Sequence, residues 1–220
     1  MTTKSYFMPK QTFLNLPEAK QRKIIAAASD EFSAYGLENA STNRIVANSG
    51  ISKGSFYQYF EDKRDLFNHL MRILENEKTD FFRDKHPPNT GLDTFAYFRW
   101  VIKTGMEFNS AYPRLAQAIS RVLFTDGLYF GPIFADLRQR SRAALTAMVN
   151  QARAQGELNP KVDIEMAVLV METWSNVITN SMLQPISQQE DVTTWAHSPE
   201  AKKMIDQTLY VMEYGLRNVA

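Results

Sequence analysis

The chain has 220 residues, 44% hydrophobic and 22% charged, with a formal net charge of +1, a profile expected of a soluble globular protein with one large or two modest domains. No apolar run approaches the ~18–20 residues that span a bilayer, the opening residues lack the features of a secretory signal, and cysteine is absent. Disulfide and thiol chemistry are thereby excluded and a reducing cytoplasm is expected, while the small net charge means that any nucleic-acid function rests on a local basic surface.

Residues 1–16 carry Lys4, Pro9 and Lys10 without helical periodicity. They read as an N-terminal arm, either groove-seeking or simply frayed. Pro17 is tolerated in a first helical turn. From Glu18 to Tyr35, the apolar positions Ile24, Ala28, Phe32 and Tyr35 recur at helical spacing, and Gly36 follows as a left-handed C′ residue. Glu18, Asp30 and Glu31 read as the solvated face of that helix. Ser41 is the expected N-cap of a second helix ending at Ser49, Gly50 permits an abrupt turn, and Ser52 caps a third helix. Phe56 and Phe60, four residues apart, share a face that points to the core. Asp62 and Asp65 resemble a capping box that opens a fourth helix at Lys63. Its apolar residues are Leu66, Phe67, Leu70, Ile73 and Leu74, and His86-Pro87-Pro88 breaks the chain beyond it. No later segment alternates in the manner of a strand. Helices are expected over Leu92–Asn109, Pro113–Thr125, Gly131–Gln155, Ile164–Gln184 and Ser198–Asn218, for an all-α fold of about nine helices.

Two helices joined by a short glycine-containing turn and braced by a third form a helix-turn-helix. The major groove admits an α-helix, so the second helix of the pair is the reading element. Gly54 and Ser55 keep its leading edge thin, and Lys53 brings charge to the phosphates. Tyr57, Gln58 and Tyr59 project further along, where a phenol or amide donates to phosphate. Lys63 lies about one turn beyond and reaches the flanking backbone, while Thr42 and Asn43 approach the opposite wall. Asn43 and Gln58 either read adenine or hold phosphate or water. The expected DNA-facing set is Thr42, Asn43, Arg44, Ser52, Lys53, Gly54, Ser55, Tyr57, Gln58, Tyr59 and Lys63.

The run Phe32-Ser33-Ala34-Tyr35-Gly36, then Ser41-Thr42-Asn43-Arg44-Ile45-Val46, then Gly50 to Phe60, then Asp62-Lys63-Arg64-Asp65-Leu66-Phe67, resembles the DNA-binding domain of the TetR family of bacterial transcriptional regulators. The resemblance spans roughly residues 17–67. It implies an all-helical protein, dimeric through its last two long helices, and usually a repressor released by a small ligand. One position departs from the family's pattern: Arg44 stands where a Glu often completes a capping box with Ser41. Arg44 is then either an additional DNA contact or an exposed arginine near an unfavourable helix N-terminus.

Residues 68–220 are expected to form a ligand-binding and dimerisation domain. It is rich in aromatics and methionine, and such side chains either line an apolar pocket or form plain core. Trp100, Phe108, Phe124, Phe134, Met171 and Trp174 are the candidate ligand contacts, for an apolar or aromatic effector. The segments Ile164–Leu183 and Lys202–Leu216 offer apolar faces, Met166, Leu169, Val170, Thr173, Trp174 and Val177 on one and Ile205, Leu209, Met212 and Leu216 on the other. They make either a homodimer interface or the interior of a monomer. The three histidines are scattered, and no metal-ligand spacing, phosphate loop or nucleophile elbow occurs. No enzymatic activity, metal or cofactor is expected. A helical lipid- or peptide-binding module is the alternative, and it leaves the Lys53–Tyr59 helix unexplained.

Overall fold

The computed structural model describes residues 9–87, 91–118, 132–183 and 198–218. Among these residues nine α-helices are complete: α1 Gln11–Leu14, α2 Glu18–Asn39, α3 Thr42–Ser49, α4 Lys53–Tyr59, α5 Lys63–Asp84, α6 Thr94–Ala111, α7 Pro132–Ala154, α8 Ile164–Leu183 and α9 Pro199–Leu216. The fold is all-α as expected. Residues 113–118 are also helical, and the rest of the helix predicted over Pro113–Thr125 lies outside the described residues. None of the described helices is long and apolar enough to cross a membrane. Two compact units form, one drawn from Met1–Asp80 and Tyr112–Phe130, the other from Phe81–Ala111 and Gly131–Ala220.

In the first unit α2 packs on α3, α1 on α4, and α3 on α4. Its interior is aromatic. Phe13, Phe32, Phe56, Phe60 and Phe67 are all essentially inaccessible, joined by Ile24, Ile45, Leu66 and Leu70. Phe32 meets Phe67 edge-on at 5.3 Å, and Phe13 lies 4.8 Å from Phe60. Each such burial contributes about 1.5–3 kcal/mol, which is how a unit of short helices holds together. Gly36 interrupts α2 with φ of 70° and ψ of −179°, a kink inside the helix rather than the C′ end expected there, and α2 runs on to Asn39.

The second unit packs α6 on α7, α7 on α8 and α8 on α9. Its core joins Phe95 and Phe98 of α6 to Val149 and Ala152 of α7, Val168 and Met171 of α8, and Ile205, Leu209 and Met212 of α9. Ser198 caps α9, accepting from the Ala201 amide at 3.1 Å, with proline at the first helical position as the sequence predicts. At one end, Arg217 donates to Asp93 at 3.1 Å and to Glu213 at 2.9 Å, and Arg99 donates to Glu213 at 2.6 Å.

Candidate nucleic-acid interface

Local chemistry sets the helix-turn-helix. Ser41 Oγ accepts from the Arg44 amide at 3.4 Å, and Ser52 Oγ accepts from the Ser55 amide at 3.0 Å. Between the two helices Gly50 takes φ of 69° and ψ of 29°, and the Ile51 amide closes back on the Val46 carbonyl at 3.2 Å. A left-handed residue at this point reverses the chain without a side-chain clash. Phe56 and Phe60 then turn inward and leave the opposite face of α4 to solvent. Asn43, Ser52, Lys53, Gly54 and Gln58 are exposed, Tyr57 is 46% exposed, and Thr42 and Ser55 are half-buried. A Cβ added at Gly54 would meet only Ser52 Oγ, at an ordinary 3.8 Å. Nothing within the chain demands glycine there, so its thinness is available to an outside partner.

Two predicted contacts are differently engaged. Tyr59 is only 6% exposed, with its ring packed edge-on to Phe13 at 6.1 Å and Lys20 Nζ 6.0 Å above it. It stands three residues after Phe56, which puts its ring on the core side of α4 and away from the face of Tyr57. Lys63 Nζ donates to the Glu38 carbonyl at 2.6 Å and the Ala40 carbonyl at 3.1 Å, so it ties the open C-terminal end of α2.

The arm was expected to be unstructured up to Leu16, yet residues 10–14 are a built part of the head. A helix leaves its last four carbonyls without intrahelical partners. For α4 these are Phe56, Tyr57, Gln58 and Tyr59. The Phe60 amide takes the first at 2.9 Å. Lys10 Nζ takes the Tyr57 carbonyl at 3.0 Å, Thr12 Oγ1 takes that of Gln58, and the Lys10 amide takes that of Tyr59 at 2.9 Å. Phe13 anchors this cap from below. The signal for it is the apolar content of the arm near the head, Phe13, Leu14 and Leu16.

Arg44 is exposed but engaged with a partner that its sequence position does not suggest. Its Nε meets both oxygens of Glu31, at 2.9 and 3.0 Å, its Nη2 reaches Glu31 Oε1 at 2.5 Å and the Asn39 carbonyl at 3.2 Å, and the fork lies 4.1 Å over the Tyr35 ring. Glu31 is not on a solvated face: its side chain is 3% exposed, against 46% for Arg44. The same carboxylate accepts the Ser41 amide at 2.6 Å. That is the bond a capping-box glutamate makes from inside α3. Here α2 supplies the acid from outside, and Arg44 neutralises it. The hydrogen bond to Glu31 holds the guanidinium pKa above its ordinary value.

Below the head, Asp62 accepts the Arg64 and Asp65 amides at 2.8 and 2.9 Å, and Asp65 reaches back to the Glu61 amide at 3.0 Å. The predicted box is present, with the return bond shifted by one residue. Burial raises the Asp65 pKa. His69 lies 5.3 Å from the Phe13 ring and 6.3 Å from that of Phe60, and burial, reinforced by Arg72, pushes its pKa down to about 4.

Of the six candidate ligand contacts, four have described side chains, and Met171 and Trp174 share one cluster in the second unit. Trp100 packs with Phe82 and Tyr97, Phe108 is buried against Phe81, and Met171 belongs to the core of the second unit. Trp174 borders an open groove of about 390 Å³ between α8 and α9, with Met204 and Val211. Phe124 and the side chain of Phe134 lie outside what is described.

A cap-braced pair of helices with an exposed second face, on an all-helical body, defines a helix-turn-helix regulator. Residues 24–70 match the sequence model of the bacterial regulatory proteins, tetR family. A TetR family transcriptional regulator from Chloroflexus aurantiacus is 32% identical, with 96% of this chain and 99% of that one covered and a TM-score of 0.80. The HTH-type transcriptional regulator YdgC of Bacillus subtilis is 35% identical over 172 residues, 74% of this chain and 80% of its own. The HTH-type transcriptional repressor SCO4008 of Streptomyces coelicolor is 27% identical over 169 residues, covering 74% of this chain and 81% of its own. The chain belongs to the TetR family of transcriptional regulators. It is a regulator and not an enzyme.

Proposed function

We propose that the protein is a repressor that binds a pseudo-palindromic operator as a homodimer, each protomer presenting α3 and α4 to the major groove. The observation that carries this is the set of exposed side chains Asn43, Lys53, Tyr57 and Gln58 on a helix-turn-helix whose inward residues are all packed. The reading domain begins at α1, since the arm residues Lys10, Thr12 and Phe13 complete it. The second unit serves as the effector and dimerisation domain, taking an apolar or aromatic small molecule.

Dimerisation is supported by the outer faces of the last two helices. Met166, Leu169 and Val177 on α8, and Tyr210, Val211 and Tyr214 on α9, are 42–67% exposed. The inward α9 face is Ile205, Leu209, Met212 and Leu216, which join the core. An exposed apolar set of this extent on two neighbouring helices marks an interaction surface, and an obligate interface there would bury about 2,000 Å² or more. Repression is the direction carried by the name of the Streptomyces relative.

Gel-shift titration against the promoter of its own or a neighbouring gene, across a salt series, tests the operator claim. Sequence-selective binding whose logarithm falls by about 0.9 per phosphate contact with log salt is expected. Equal affinity for promoter and random duplexes would overturn it. Leu169→Glu should convert a dimer to a monomer in sedimentation, and an unchanged sedimentation coefficient would remove α8 from the interface.

A further inference from the structure

The head does not offer its cations and its amides equally. The Arg44 fork is spent on Glu31 and the Asn39 carbonyl, and Lys63 is spent on the Glu38 and Ala40 carbonyls. Arg64 pairs with Glu38 at 3.2 Å, and Lys10 holds the Tyr57 carbonyl. Arginine and lysine are the side chains that pair with guanine O6 and N7; both arginine forks of the helix-turn-helix and the start of α5 are turned onto glutamates of α2, which leaves Lys53 as the exposed cation of α4. The exposed side chains on α3 and α4 that remain include three primary amides, Asn43, Asn48 and Gln58, of which Asn48 borders a hollow shared with Lys23 and Asp30 of α2. Gln58 is carried on a fixed backbone, because Thr12 and Lys10 hold the carbonyls of Gln58, Tyr57 and Tyr59.

An amide presents a donor beside an acceptor. Adenine shows the complement in the major groove, the N6 donor beside the N7 acceptor, whereas guanine shows two acceptors and leaves the amide oxygen facing another oxygen. Resting on the operator reading above, we infer that Gln58 and Asn43 are adenine-reading residues, so that each half-site carries A·T pairs beneath them. Arg44 is a positioning residue of the α2–α3 corner that reads no base.

The experiment selects bound duplexes from a random pool with the full-length protein, then replaces individual adenines by 7-deazaadenine, which lacks the N7 acceptor and keeps Watson–Crick pairing. Two adenines per half-site should each lose roughly 5- to 150-fold in affinity on replacement. Gln58→Ala and Asn43→Ala should each abolish the preference at one of these positions and leave the salt slope unchanged, because a neutral amide displaces no counterion. Thermal melting of both variants reports that the fold persists. Failure to enrich any sequence would overturn the operator reading and this inference together. An enriched palindrome with guanine at the Gln58 and Asn43 positions would overturn the inference alone, as would insensitivity to 7-deazaadenine or a uniform loss across all sequences in the two variants.

Discussion

Replacing Glu31 by alanine removes the acceptor of the Ser41 amide and of three Arg44 hydrogen bonds, leaving that guanidinium its bond to the Asn39 carbonyl. The Ser41 N–H meets Glu31 Oε1 at 2.6 Å, and the carboxylate that receives it is 3% exposed. A hydrogen bond to a charged group contributes about 1.5–3 kcal/mol, and the donor it leaves behind costs a similar amount to strand, the two being one bond viewed from either side. Arg44 is half in water, so its pairing sets geometry more than magnitude. Glu31→Ala is therefore expected to destabilise the first unit by about 2 kcal/mol, measured by urea unfolding followed by far-UV circular dichroism. Glu31→Gln keeps an acceptor oxygen and should retain at least half of that stability. Amide exchange at Ser41 should quicken in the alanine variant and stay slow in the glutamine variant. Unaltered Ser41 exchange, with unfolding within about 0.5 kcal/mol of the parent, would refute a brace supplied by α2.

Three further outcomes test the same head. Phe13→Ala should cost about 3–5 kcal/mol, as truncation of a buried phenylalanine does; a loss below about 1 kcal/mol would mean that α1 does not seal α4. Gly54→Ala should stabilise the fold by up to about 1 kcal/mol and weaken operator binding, and unchanged affinity would remove Gly54 from the contact surface. The third concerns pH. His69 is neutral in the fold, with a pKa of about 4 against 6.5 ordinarily, so the unfolded chain takes up the proton first on acidification. Its contribution is complete above pH 6.5 and is lost as pH falls toward 4. With the ring partly open to solvent the loss is about 1–2 kcal/mol, opposed in sign by Asp65, whose raised pKa favours the fold in acid. Unfolding at pH 7 and pH 5 should show a smaller acid loss in His69→Phe, and an identical loss would place the dependence elsewhere.

The sequence alone determined most of the helices beyond Leu16, the serine caps and the helix-turn-helix pairing of α3 with α4. Ser41, Gly50, Ser52 and Ser198 act within three or four residues of themselves, and Phe56 and Phe60 follow a helical period, so local physics is enough to place them. The family resemblance rests on this same local grammar. Tertiary structure decided everything that joins residues far apart in the chain. Glu31 meets Arg44 across 13 positions, Lys63 meets Glu38 across 25, and Thr12 meets Gln58 across 46. No spacing rule links such pairs, because their proximity exists only once Gly36 and Gly50 have turned the chain and the aromatic core has closed. The same holds for Tyr59, drawn inward by Phe13, and for α9, whose two faces were told apart only when Ile205, Leu209 and Met212 found the core and left Tyr210, Val211 and Tyr214 outside.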